Sequence, residues 1–301
     1  MLVLTIWPLF ALICLGFVLR RSGFPEAGFW PAAERVNYFI LFPALLVASL
    51  ADAPVRDPAL LRLGGAAVAT VVAAAALLAL LRAVRPMPAA RFGPVVQGTV
   101  RFNTYLGLAI TASLLGSGGF ERAAVYLAIS VPVVNLLSIM ALSEGSILRT
   151  PRLVIRAVAR NPLILACVTG LVLSVTGIGL PFGADRFLQL VGQGSLPLGL
   201  LCVGAALRPA ALRHDLPALA GTGAIRLLAM PMLAALVARG IGLEPEEALV
   251  LVIFSAIPTA PTAYVLTRQL NGDGTLMAGL VTSQTLASVL TLPVVLIVFG
   301  S

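Results

Sequence analysis

What most constrains this chain is a recurrence: apolar stretches long enough to cross a bilayer follow one another along its whole length. They run approximately Leu2–Leu19, Val36–Ala51, Leu60–Leu81, Phe92–Leu115, Ala123–Leu142, Pro162–Thr176, Leu188–Leu207, Leu216–Val237, Ala248–Thr267 and Leu276–Phe299. A helix needs roughly 20 apolar residues to traverse about 30 Å of hydrocarbon. Inside lipid the backbone must also satisfy its own polar groups, which a helix does within one segment. The expectation is an all-α integral membrane protein with ten transmembrane helices and no separate soluble domain. Composition agrees. Hydrophobic residues make up 59% of the 301 and charged residues only 11%, where soluble domains carry about 25% charge.

The formal charge of +8 could point to nucleic acid, but the basic residues sit in the short loops rather than on one soluble face, so no nucleic-acid partner is expected. All 20 basic residues are arginines. Of these, 13 fall in loops after odd-numbered spans, 5 in loops after even-numbered spans (counting Arg62, at the very start of the third span), and Arg101 and Arg226 lie deep within spans. The positive-inside rule then places the odd loops in the cytoplasm and both termini outside, in a multi-pass protein of the cell membrane. The first stretch lacks a basic residue ahead of it and is followed by Arg20 and Arg21, the reverse of a cleavable signal peptide. It reads as a permanent span. Cys14, Cys167 and Cys202 all fall in apolar stretches and suggest neither disulfide nor metal framework.

The two halves resemble each other. Gly16 and Gly23 recur 154 positions later as Gly170 and Gly177, and Pro43 recurs at the same offset as Pro197. Pro132-Val133-Val134 recurs as Pro293-Val294-Val295. With five spans per half, the second half enters the membrane from the opposite side, giving a 5+5 inverted repeat, an architecture of many secondary transporters. The expected organisation is residues 1–142 as the first five-helix repeat, 143–160 as a basic cytoplasmic linker and 161–301 as the second repeat. In the linker Arg152, Arg156 and Arg160 recur every four residues and would line one face of a short helix.

Chemistry concentrates in the fourth and ninth spans. Gln97, Thr99, Arg101, Asn103 and Thr104 stand within eight positions of one apolar stretch. A mid-membrane arginine costs about 2.5–3.5 kcal/mol even on the mildest scale, so this cluster must face a cavity or other protein. In an intact helix Arg101 and Asn103 would point about 200° apart, and a break would let both line one site. The ninth span carries Pro258-Thr259-Ala260-Pro261-Thr262. Two prolines three apart cannot both sit in a regular helix, and unwound backbone at membrane depth is tolerated only where it is buried or lines a polar cavity. By the 154-residue offset Asn103 corresponds to residue 257, just before Pro258. Candidate substrate contacts are Arg101, Asn103, Thr104, Pro258, Thr259, Pro261 and Thr262, with Pro43, Pro197 and Arg226 as additional candidates. The isolated prolines also fit plain helix kinks, and the glycine pairs fit packing surfaces.

The acidic residues are read in loops or at span ends, and lysine is absent, so no lysine-containing phosphate-binding loop exists. No nucleophile–base pair, carboxylate pair or metal-ligand set indicates an enzyme, and no cofactor is expected.

Several stretches carry a resemblance. Leu15-Gly16-Phe17-Val18-Leu19-Arg20-Arg21, Asn37-Tyr38-Phe39-Ile40-Leu41-Phe42-Pro43-Ala44-Leu45-Leu46, Arg101-Phe102-Asn103-Thr104-Tyr105-Leu106-Gly107-Leu108, Asn161-Pro162-Leu163-Ile164 and the Pro258–Arg268 segment are similar to the auxin efflux carrier family, whose bacterial members include malonate-type transporters. The resemblance implies broken fourth and ninth helices crossing at mid-membrane, with Asn103-Thr104 and Pro258 at the crossing and an anion carboxylate beside it. This chain lacks the long cytoplasmic loop of the plant members, and Pro261 has no counterpart there, so auxin itself is not the expected substrate. The expected function is secondary active or potential-driven carriage of small mono- or dicarboxylates by alternating access. Expected partners are the anion, the bilayer, a co-transported proton and, left open, a second copy in a homodimer. The alternatives are a sodium-coupled symporter of the bile-acid-transporter type and a binding-only membrane sensor.

Overall fold

The computed structural model describes residues 2–26, 28–51, 57–143, 161–180 and 183–299. Among these the regular structure is helical, with no strand. In chain order the helices are α1 Leu2–Arg21, α2 Phe29–Ala51, α3 Pro58–Val84, α4 Ala89–Val100, α5 Thr104–Leu142, α6 Pro162–Thr176, α7 Ala184–Ala206, α8 Leu216–Ile241, α9 Pro245–Ala256, α10 Thr262–Gln269 and α11 Gly274–Phe299. Helix occurs at every one of the ten apolar stretches. Seven helical runs are long and apolar enough to cross a membrane by themselves. Large apolar side chains lie on the outside, including Leu4, Trp7, Leu80, Val84, Leu290 and Ile297, each more than half exposed. Water would not tolerate so much outward apolar surface on so many helices, whereas hydrocarbon does. The linker helix expected around Arg152, Arg156 and Arg160 lies outside the described residues.

Prolines shape the helices in a consistent way. In α2 the residues Asn37–Leu41 form a π turn, in which the Phe42 amide donates to the Asn37 carbonyl, and Pro43 follows. In α8 the residues Ile225–Ala229 do the same, with the Met230 amide donating to the Ile225 carbonyl and Pro231 following. Proline clashes with the carbonyl four residues back in a regular helix, and a widened turn directly ahead of it relieves that clash. The kink expected at Pro43 is therefore a π turn. Pro197 instead sits in the first turn after a hitch at Gly194, where helix resumes at Ser195.

Two boundaries depart from the sequence reading. Helix α2 begins at Phe29 rather than Val36, because Trp30 and Ala33 are buried against Cys202 of α7. Glu34 is thereby inside the helical run and not in a loop. The loop expected between Leu115 and Ala123 is reduced to one non-helical residue, Gly116 (φ 66°, ψ −149°), so that α5 is two helical segments joined at a kink. Those angles lie in a region open essentially to glycine alone.

The chain gathers into two compact units, and each draws on both halves of the sequence. One comprises Met1–Leu61, Thr104–Ala128 and Ala157–Ala206. Here α1 packs on α7 and α2 packs on α6, through glycines. A methyl group on Gly16 would strike the Leu201 carbonyl, and one on Gly204 the Ile13 carbonyl, so these backbones touch directly. A methyl on Gly170 would lie 2.6 Å from the Leu50 side chain and one on Gly192 2.9 Å from the Leu45 backbone. Small residues allow this approach where helices gain nothing from hydrophobic burial against lipid. Gly23 and Gly177 both take left-handed angles just beyond their helices (φ 80° and 68°), the glycine position of a helix C-terminus. A buried polar pair also links α2 to α7: the Asn37 amide donates to the Ser195 carbonyl at 3.1 Å, and the Ser195 hydroxyl donates to Asn37 Oδ1 at 2.8 Å.

The other unit comprises Arg62–Asn103, Ile129–Arg156 and Leu207–Ser301. Its apolar core is built by Leu219 of α8, Ala263 of α10 and Leu276, Met277, Leu280 and Val281 of α11.

Candidate functional site

Two helix interruptions meet inside this second unit. Helices α4 and α9 are both twelve residues long, and both stop with the next residue extended: Arg101 at φ −77°, ψ 149° and Ile257 at φ −76°, ψ 154°. The second stop follows from Pro258, which drives its preceding residue out of helical angles. Pro261 does the same to Ala260 and then opens α10, since a proline at a helix start forfeits no hydrogen bond. The first stop contains no proline. It is held by its neighbour, because the Asn103 amide donates to the Pro258 carbonyl at 2.9 Å. Phe102 adds an edge-to-face contact with Phe254 of α9, ring centroids 5.3 Å apart.

The backbone geometry corrects the alignment of the two interruptions. Ala89–Val100 and Pro245–Ala256 are displaced by 156 residues at each end, not 154. Arg101 therefore corresponds to Ile257, and Asn103 to Thr259 rather than to residue 257.

A broken helix leaves carbonyls without partners, and at membrane depth these must be satisfied by protein. Three side chains do most of this. Arg226, in the π turn of α8 and 1% exposed, donates from Nη1 to the Thr99 carbonyl at 3.0 Å, from Nη2 to the Phe254 carbonyl at 2.6 Å and from Nε to the Ile257 carbonyl at 2.7 Å. Gln284 of α11, fully buried, donates to the Gly98 carbonyl at 2.9 Å and accepts from the Thr259 amide at 3.0 Å. Thr259 Oγ1 donates to the Gln97 carbonyl at 3.1 Å. Each helix C-terminus carries about half a negative charge, so one guanidinium set between the ends of α4 and α9 offsets both. Arg226, an additional substrate candidate by sequence, thus occupies a capping position.

Arg101 is placed differently. It is half-buried, and its Nη2 reaches Thr262 Oγ1, the first residue of α10, at 3.5 Å. A guanidinium beside a helix N-terminus makes a locally positive place. Gln97 and Thr99 are buried beneath it in the last turns of α4. Gln97 Nε2 donates to Thr267 of α10 at 2.8 Å, while Gln97 Oε1 and Thr99 Oγ1 find no partner among the described residues.

The interruptions thus bring together Arg101, Asn103, Pro258, Thr259, Pro261 and Thr262. Thr104 is the next residue in the chain and opens α5, whose first part belongs to the other unit, as do Pro43 and Pro197. Sequence reasoning missed Gln284. Its only signal was a long amide in an apolar stretch, within Thr282-Ser283-Gln284-Thr285.

Interrupted helices joined at their breaks, within a many-helix protein clothed in apolar side chains, define a membrane transporter. The comparison with known proteins agrees and goes further. The sequence profile of the membrane transport protein family, that of the auxin efflux carriers, matches residues 143–296, and this chain belongs to that family. It is also 26% identical over 298 residues to an uncharacterized transporter of Methanothermobacter thermautotrophicus, covering 96% of this chain and 95% of the relative.

Proposed function

We propose that this chain is a carrier for small organic anions, mono- or dicarboxylates, working by alternating access. The observation that carries the reading is the meeting of the two interruptions, with Arg101 set at the N-terminus of α10. A carboxylate seated there accepts from the guanidinium, the Thr262 hydroxyl and helix-terminal amides. Asn103 and Thr259 line the approach, and Pro258 and Pro261 keep the backbone open. Arg226 holds the scaffold and leaves the anion to Arg101.

The same reading takes the chain through the membrane ten times as a 5+5 inverted repeat. Support comes from the matched lengths of α4 and α9 and from the exchanged pairing of α1 with α7 and α2 with α6. The arginine asymmetry supports extracytoplasmic termini. Each elementary charge crossing the membrane gains or loses about 2.3 kcal/mol per 100 mV. With a negative interior an anion leaves without a coupling ion, and uptake proceeds with a proton carried on the substrate.

The test is flux of a radiolabelled dicarboxylate in proteoliposomes under imposed voltage and pH gradients, with ligand stabilisation of Arg101→Ala and Asn103→Ala measured in parallel. Flux indifferent to both gradients, or wild-type stabilisation of both variants, refutes the proposal. One observation favours a second reading: Gln97 Oε1 and Thr99 Oγ1 are buried oxygens still open to a donor or a cation, as a sodium-coupled symporter requires. Uptake that needs external sodium selects it, and ligand binding without any flux selects a sensor.

A further inference from the structure

On one side of the second unit a groove of about 460 Å³ runs between α3, α4 and α8. Leu78 and Leu81 of α3, Phe92 and Val95 of α4, and Gly221 and Ile225 of α8 give it almost wholly apolar walls. Its volume lies within the range of about 300–1,000 Å³ that small-molecule sites occupy. Beside it α3 turns Leu77, Leu80 and Val84 outward, each more than half exposed, so the groove opens onto the face that hydrocarbon covers.

The groove changes character at the C-terminal end of α3, where Arg82 and Arg85 join its lining. Arg85 is the first residue beyond the helix, and its amide still donates to the Leu81 carbonyl at 2.8 Å, which holds it one turn above Arg82. Arg82 is fixed in position. Its Nε donates to the Met87 carbonyl at 2.9 Å, and its guanidinium lies 4.6 Å above the Phe92 ring. Arg85 is exposed, and its guanidinium has no partner among the described residues. Nearby Arg91 is committed to Asp215, so that pair cancels and the two groove arginines keep their charge.

We propose that this groove binds one anionic phospholipid, its acyl chain along the apolar walls and its phosphate between Arg82 and Arg85. Basic pockets between helices on the cytoplasmic side suit anionic headgroups, and the arginine asymmetry assigns this end of α3 to that side. A zwitterionic lipid fills the walls equally well but carries a cation that the two guanidiniums repel. A soluble anion meets the arginines but has nothing to place against the leucines. The placement rests on the membrane-embedded class of the protein and on the orientation proposed above, and is independent of what the carrier transports.

The groove supplies its own test. A Cβ added at Gly221 meets no atom within 4 Å, and the same holds at Gly223, which does not line the groove. Gly221→Leu therefore puts bulk into the groove from a Cβ that clashes with nothing, and Gly223→Leu controls for the effect of any leucine on α8. Purified protein in mixed phosphatidylglycerol and phosphatidylcholine vesicles is extracted, and retained lipid is counted by native mass spectrometry. Wild type and Gly223→Leu retain phosphatidylglycerol preferentially. Arg85→Gln lowers that preference roughly five-fold, the factor for one basic side chain at an anionic surface, and Gly221→Leu abolishes it. Equal retention of the two lipids by wild type overturns the proposal. So does an unchanged preference in either variant, since Gly221→Leu retaining the lipid would mean that the headgroup alone is attracted.

Discussion

Arg226 provides the sharpest test of how the interruption is held. Replacing it by methionine keeps an unbranched apolar stem and removes the guanidinium, taking from the buried carbonyls of Thr99, Phe254 and Ile257 the donor they share. Each bare buried carbonyl costs about 1–3 kcal/mol, which makes roughly 3–9 kcal/mol for the three. The loss of a cation between two helix C-termini adds to that. Arg226→Lys supplies a point charge whose three protons cannot match the fan of three acceptors, and falls between wild type and methionine. The assay is thermal unfolding in detergent, read from intrinsic fluorescence, with and without a saturating dicarboxylate. The expected result is a large loss of ligand-free stability for Arg226→Met and a smaller one for Arg226→Lys. If Arg226→Met unfolds at the wild-type temperature but no longer responds to the anion, the guanidinium serves the substrate and the capping argument is wrong.

Three further outcomes follow from the same geometry. Gln284→Leu leaves the Thr259 amide and the Gly98 carbonyl bare and lowers the melting temperature, at about 1–3 kcal/mol for each group; a neutral result would show that water replaces the side chain. Gly116→Ala, at φ 66° and ψ −149° with open space around it, costs about 1–3 kcal/mol of backbone strain alone, and chemical denaturation showing no loss would count against the kink. Gly64→Ala drives a methyl onto Ile129, whereas Gly65→Ala meets nothing. Unfolding midpoints should fall for the first and hold or rise slightly for the second, since alanine is the better helix former.

How much of this was legible in the residues differs between the two interruptions. The second is written locally, because Pro258 and Pro261 dictate extended angles at their neighbours wherever the chain goes. The first is not. Arg101-Phe102-Asn103 contains no residue that forbids a helix, and it is extended because the Asn103 amide is bonded to the Pro258 carbonyl, 155 residues away in sequence. The polar crowding of Gln97, Thr99, Arg101 and Asn103 announced that something unusual lay there, without saying what. Gln284 was hidden for a similar reason, since one amide in an apolar helix has no local consequence until its partners are known. The start of α2 was misplaced because Glu34 and Arg35 look like loop residues, while burial of Trp30 and Ala33 against Cys202 carries the helix past them. The division into units escaped the sequence as well: the expected repeats follow one another along the chain, but each compact unit draws segments from both halves.

The touching backbones of α1 and α7 carry a mechanical implication. Gly16 rests on the Leu201 carbonyl while Gly204 rests on the Ile13 carbonyl, so each helix grips the other at two points about one turn apart. Sliding by a single residue would bring the Phe17 ring or the Ala205 methyl into a seat that cannot hold even a methyl group. The two helices are thus keyed like a dovetail joint: whatever displaces one must carry the other along as a single beam.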